Sequence, residues 1–134
     1  MSMLNYSQDK GSLTLNGISF ENLGETDPPI TIEDIEPRSH LKRGTGGKSV
    51  RLDNATRAKR VTVCLMPGCD EVRQVLALDK ARVDFNGLWS QAGTLEKVAL
   101  FDGVLTNRGE LGRGGKTAAT DEKLIFEFND SEET

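Results

Sequence analysis

The sequence predicts a mainly β protein, an antiparallel β-barrel or sandwich with one flanking α-helix and a long inter-strand loop. Three observations carry this. Apolar and polar residues alternate in several short runs, the period of half-buried strands. The chain holds 14 glycines in 134 residues, above the average usage of roughly 7%, and so needs many turns. One run, beginning near residue 70, has the i, i+3, i+4 apolar spacing of a helix. At 36% apolar and 28% charged, the chain has the make-up of one modest domain over residues 1–134. Its N-terminus at about 1–8 and its acidic C-terminal tail at about 129–134 are expected to fray.

Residues 13–20 alternate on either side of Asn16-Gly17, a dipeptide that tolerates the positive φ angles of a tight hairpin. After Pro28-Pro29, residues 30–36 place Ile30 and Ile32 on one strand face, and Pro37, which cannot donate to a ladder, ends that strand. A Gly-rich basic stretch, 38–48, is expected to be a loop leading to a strand at 49–53. Residues 60–66 form a further strand with Val61, Val63 and Leu65 pointing into the core. Pro67-Gly68 breaks it, and Asp70 is expected to cap a helix over 70–80 with Val72, Val75 and Leu76 as its buried stripe. Residues 81–89 repeat the hairpin signature around Asn86-Gly87. Residues 95–101 with Val104 and Leu105 read as a strand or bulged pair, 106–120 as a second Gly-rich loop, and 123–128 as the last strand.

Charge is unevenly placed. Residues 38–60 hold eight cations (Arg38, Lys42, Arg43, Lys48, Arg51, Arg57, Lys59 and Arg60) against Asp53, a balance of +7 within a chain of net charge -4, which leaves -11 elsewhere. Such a chain suits head-to-tail attachment to its own copies. A solvated basic face and phosphate contact with DNA or RNA are the competing readings. Residues 38–60 offer no aromatic side chain for base stacking.

Gly46-Gly47-Lys48-Ser49 and Gly114-Gly115-Lys116-Thr117 imitate a phosphate-binding loop. The full motif needs a glycine five positions before its Gly-Lys, where this chain has Lys42 and Glu110. His40 is the only histidine, so a nucleophile–histidine apparatus would have to use it, and its place in the basic stretch suits a surface residue better. Cys64 and Cys69 lack Cys-x-x-Cys spacing, argue against structural zinc, and read as free thiols. Trp89 reads as a core or interface aromatic. No apolar run exceeds four residues, against the roughly 18 of a membrane span. The first residues show no signal-peptide pattern, and synthesis in the cytoplasm is expected. No cofactor, metal or catalytic residue is expected.

The order of these pieces resembles the small tail tube proteins of contractile-tailed bacteriophages, which are similar in fold to the tube protein of type VI secretion. Tyr6 leads into a Gly-containing hairpin, then Ile30-Thr-Ile32, a polar Gly-rich loop, and Arg60-Val-Thr-Val-Cys-Leu-Met-Pro-Gly68 running into the helix at Asp70. The resemblance covers roughly residues 6–128. It implies six copies joining their sheets into a ring, rings stacking into a hollow tube, and genomic DNA passing through without specific binding. It implies partners too: copies of itself, the tail sheath protein, and the baseplate hub and tail terminator proteins, assembled into a virion tail in the bacterial host cytoplasm. The family's loop between early strands reaches the adjacent ring, which makes Arg38, His40, Lys42, Arg43, Lys48 and Arg51 the expected inter-ring contacts. A tail terminator or baseplate tube-initiator of the same fold is an alternative. So are a small nucleic-acid-binding module using residues 38–60 and, third, a phosphate-handling enzyme using Lys48 or Lys116.

Overall fold

The computed structural model describes residues 11–92 and 94–133. Tyr6 and the segment expected to fray at 1–8 lie outside them. Strands β1 (Gly11–Leu15) and β2 (Ile18–Ser19) form the first hairpin. Its turn residues Asn16 and Gly17 adopt φ of 49° and 81°, the left-handed conformation their types allow. Strand β3 (Ile30–Asp34) stops before Pro37 and pairs with β6 (Lys59–Leu65). Val61, Val63 and Leu65 are fully buried, as the alternation requires.

Helix α1 spans Asp70–Lys80 and lays Val72 and Val75 into the core, with Leu76 packed against it. The capping assignment is corrected. Cys69 occupies the N-cap without a side-chain cap bond, and Asp70 is the first helical residue, where its charge favours the positive end of the helix.

Strands β7 (Phe85–Gln91), β8 (Lys97–Arg108) and β9 (Glu122–Glu133) complete an antiparallel seven-stranded sheet of order β2-β1-β7-β8-β9-β6-β3. Buried positions jump from Leu100 to Gly103 on β8 and from Phe128 to Ser131 on β9, around Asp102 with its φ of 54°. Each long strand there turns two successive residues outward, Phe101 and Asp102 on β8 and Asn129 and Asp130 on β9. Phe85 meets Phe126 edge to face at 5.2 Å, and Phe128 lies 6.2 Å beyond. The two ends of the sheet face each other across a shallow groove, Gly11 and Trp89 against Pro29 and Ile30, so the barrel is not closed and the architecture is sandwich-like. Trp89 packs on the core and donates to Glu96 at 3.1 Å.

Three expectations change. Asn86-Gly87 makes no hairpin and lies inside β7 at a register shift. A Cβ at Gly87 would stand 2.0 Å from the Thr14 carbonyl oxygen, so glycine serves close strand approach there. Asn86 bridges instead, its N–H donating to Asn16 Oδ1 at 2.9 Å and its own Oδ1 accepting from Asp102 N–H at 3.0 Å. The acidic tail expected to fray is strand through Glu133, paired with β8 from Val98↔Glu133 inward. The loop expected at 38–48 contains a strand, β4 (Ser39–Arg43), paired with β5 (Ser49–Asp53) in a separate two-stranded sheet.

Candidate functional site

The β4–β5 hairpin is an arm. Its turn closes by Gly44 N–H donating to the Lys48 carbonyl at 2.8 Å, with Gly47 at φ 84°. Residues 36–53 are exposed throughout. A two-stranded hairpin is marginal by itself in water, so this arm depends on its root and on whatever its faces meet.

Directly paired residues share a face. His40↔Leu52 and Lys42↔Val50 make one, and Ser39↔Asp53, Leu41↔Arg51 and Arg43↔Ser49 make the other. Leu41, Val50 and Leu52 are 55%, 56% and 54% exposed, apolar residues set among cations.

The root is a charge cluster joining three parts of the body. The Lys59 ammonium, on a residue only 3% exposed, donates to Asp34 Oδ1 at the end of β3 and to Glu133 Oε1 at the end of β9, the latter at 2.9 Å. Arg38, where the arm begins, donates from Nε to Asp34 Oδ2 at 2.9 Å and from a terminal nitrogen to Glu133 Oε2. The Lys59 hydrogen bond, followed by that of Arg38, holds both carboxyls below the usual carboxylate range. On the other side of the root, Asn54 N–H donates to the Arg38 carbonyl at 2.8 Å and Asn54 Nδ2 donates to Glu36 at 2.9 Å. Ser131 on β9 reaches the Arg57 carbonyl at 2.6 Å.

The six expected contact residues are therefore divided. Arg38 is engaged at the root. Arg51 pairs with Asp53 at 2.7 Å, and Ser39 donates to the same carboxylate oxygen. Lys42 shares its face with His40, Arg43 lies on the opposite face, and Lys48 sits at the turn; these three cations make no ion pair among the described residues. Arg60 is held by Glu33 at 3.4 Å and Glu127 at 3.0 Å on the sheet. Carboxylates of the body thus hold three of the eight cations, Arg38, Lys59 and Arg60, the arm's own Asp53 holds Arg51, and the outward charge concentrates on the arm.

Sequence reasoning missed Asp34 and Glu133, and it missed that Val50 and Leu52 face outward. The alternation Ser49-Val-Arg-Leu-Asp53 is the signal for a half-buried strand, and here its apolar half has no cover. The Gly46-Gly47-Lys48-Ser49 fragment turns the arm and runs into β5, so the helix that a phosphate-binding loop requires does not follow. Cys64 is buried and Cys69 half-buried, both free thiols, with burial raising the Cys69 thiol pKa.

No family model and no curated protein sequence matches the chain. Among solved structures, the anti-feeding prophage cap, described as a tube terminating cap, is similar with a TM-score of 0.65 at 10% identity, covering 100% of this chain and 93% of that one. Hcp1 from Flavobacterium johnsoniae is similar with a TM-score of 0.51 at 11% identity, covering 92% of this chain and 93% of that one. The chain has the fold of the tail tube group, the group to which its strand, turn and helix at 60–80 point.

Proposed function

We propose that the protein is a structural, non-catalytic tail component that assembles with its own copies into stacked hexameric rings, forming the inner tube of a contractile bacteriophage tail. The observation that carries this is the arm: a basic, partly apolar hairpin standing clear of a tail tube fold. Strand β3 is paired on one side only among the described residues, and an edge of this kind is stable in solution when another strand covers it. Sheets joined at such edges make the ring, and arms reaching from ring to ring make the stack. An acidic bore repels phosphates and lets DNA slide during ejection, which suits a chain carrying -11 outside residues 38–60. In this reading the sheath protein, baseplate hub and terminator are its tail partners, and assembly takes place in the bacterial host cytoplasm.

The likeness to a tube terminating cap supports a second reading, a terminator that closes a tube instead of extending it. Negative-stain microscopy with light scattering on a sizing column, at low and high salt, separates the two. Hollow tubes that lengthen with concentration are expected of a tube protein. Single rings that stop growing would replace that reading with the terminator. A monomer with salt-dependent affinity for DNA would replace both with a nucleic-acid-binding module.

A further inference from the structure

The outer face of β7, β8 and β9 repeats the chemistry of the arm with the opposite charge. Leu88 stands directly across from Ala99, and Ala99 from Glu132, so that one rung reads Leu88–Ala99–Glu132. The neighbouring rung is Phe101 across from Asp130. Leu88 and Phe101 are 43% and 39% exposed, an apolar interruption on a face where alternation ordinarily places polar side chains. Neither Asp130 nor Glu132 makes an ion pair among the described residues, and Lys97 beside Ser90 is the cation at one end of the patch.

The arm's outer rungs are Leu52 with His40 and Val50 with Lys42. Both surfaces therefore carry two successive rungs, apolar on one side and polar on the other, at the roughly 7 Å repeat of alternate strand residues, with Lys42 the arm's cation and Asp130 and Glu132 the patch's anions. We infer that the Val50–Leu52 face of one copy's arm docks on the Leu88–Ala99–Phe101 patch of a second copy, with Lys42 set against Asp130 and Glu132. This rests on the self-assembly reading and names the receiving surface. Within one copy the arm is exposed on both faces, so the two surfaces are separate and the contact is heterologous. Each docked copy still offers a vacant arm or a vacant patch, and the assembly propagates.

The test reverses the charges in the full chain. Lys42→Glu alone, and Asp130→Lys with Glu132→Lys, are each expected to raise the concentration at which ordered assemblies form at least tenfold. The three substitutions together are expected to restore it to near the wild-type value. A combined variant that melts cooperatively yet assembles no better than its parents overturns the contact, as do parents that assemble normally. A photo-crosslinking residue at position 50 of the otherwise wild-type protein gives an independent reading when a charge variant does not fold. Adducts between copies on 86–101 and 129–132 are expected, and adducts mapped elsewhere in formed tubes overturn the contact while leaving self-assembly standing. A wild-type chain that stays monomeric at every salt and concentration overturns the self-assembly reading and this contact with it.

Discussion

Replacing Lys59 with methionine removes one charge, keeps most of the volume, and strands two carboxylates. Lys59 is 3% exposed, while the Asp34 and Glu133 side chains are 34% and 43% exposed and also hold Arg38. Breaking a fully buried pair costs about 3–5 kcal/mol. Water and Arg38 still reach the stranded carboxylates, which puts this loss at the lower end, about 3 kcal/mol. At roughly 2.1 cal/mol/K per residue, a chain of 134 residues unfolds with an entropy near ~0.28 kcal/mol/K, so Lys59→Met should melt about 10 °C below wild type. The assay is far-UV circular dichroism at pH 7 under conditions that keep the chain dispersed. Adding Asp34→Asn and Glu133→Gln should recover most of the loss, because the one charge then left without a partner, Arg38, is half exposed and solvated by water. The pH dependence follows from the same groups. Both carboxyls sit below the usual range in the folded chain, so their stabilisation is complete at neutral pH and is lost as pH falls through the usual carboxylate range towards the folded values. Wild type should lose stability along that limb more steeply than Lys59→Met. A drop of less than about 3 °C at pH 7, with parallel acid limbs for the two proteins, would refute the cluster as the anchor of the arm.

Gly87→Ala would set a Cβ 2.0 Å from the Thr14 carbonyl oxygen and push β1 away from β7, and urea titration should show a loss of about 2–3 kcal/mol. Phe126 is fully buried between Phe85 and Phe128, so Phe126→Ala should cost about 3–5 kcal/mol and leave little folded protein at physiological temperature, read by the yield and melting of the soluble chain. Val50→Ser with Leu52→Ser alters two residues that are more than half exposed, so the dispersed chain should keep its stability to within about 0.5 kcal/mol per site while light scattering shows assembly lost.

The same dipeptide makes a turn at one place and lies within a strand at the other. Asn16-Gly17 makes the turn its types favour, because Gly17 stands in open space and the bonds of Asn16 to Asp84 and Asn86 are made with the turn's own left-handed backbone in place. Asn86-Gly87 belongs to a strand, because β1 passes close enough to exclude any side chain at residue 87. A local signal is reliable while its environment is local, and β6 with α1 illustrates this: a clean alternation, Gly68 at φ 75°, and a helix whose bounds match the apolar spacing. The acidic tail failed for the opposite reason. Its partners, Val98 on β8 and Lys59 and Arg38 at the arm's root, lie far away in the chain, and an isolated run of acids carries no trace of them.

The candidate site was legible as a charge imbalance and not as a surface. Counting cations locates the segment, but four of its eight, Arg38, Arg51, Lys59 and Arg60, are held by carboxylates of the same chain. Of the other four, Arg57 donates to the Asn54 and Thr56 carbonyls, and Lys42, Arg43 and Lys48 remain for a partner around an apolar stripe. Val50 and Leu52 are 56% and 54% exposed, so burying the exposed part against a partner contributes only on the order of 1 kcal/mol apiece. One such arm is too weak to hold two copies together, and its exposed charges fix register and partner more than they add affinity. In the hexameric ring proposed above, six arms engaging at once would multiply that small contact by effective concentration. Stacking should therefore appear steeply with protein concentration, after rings have formed and not before.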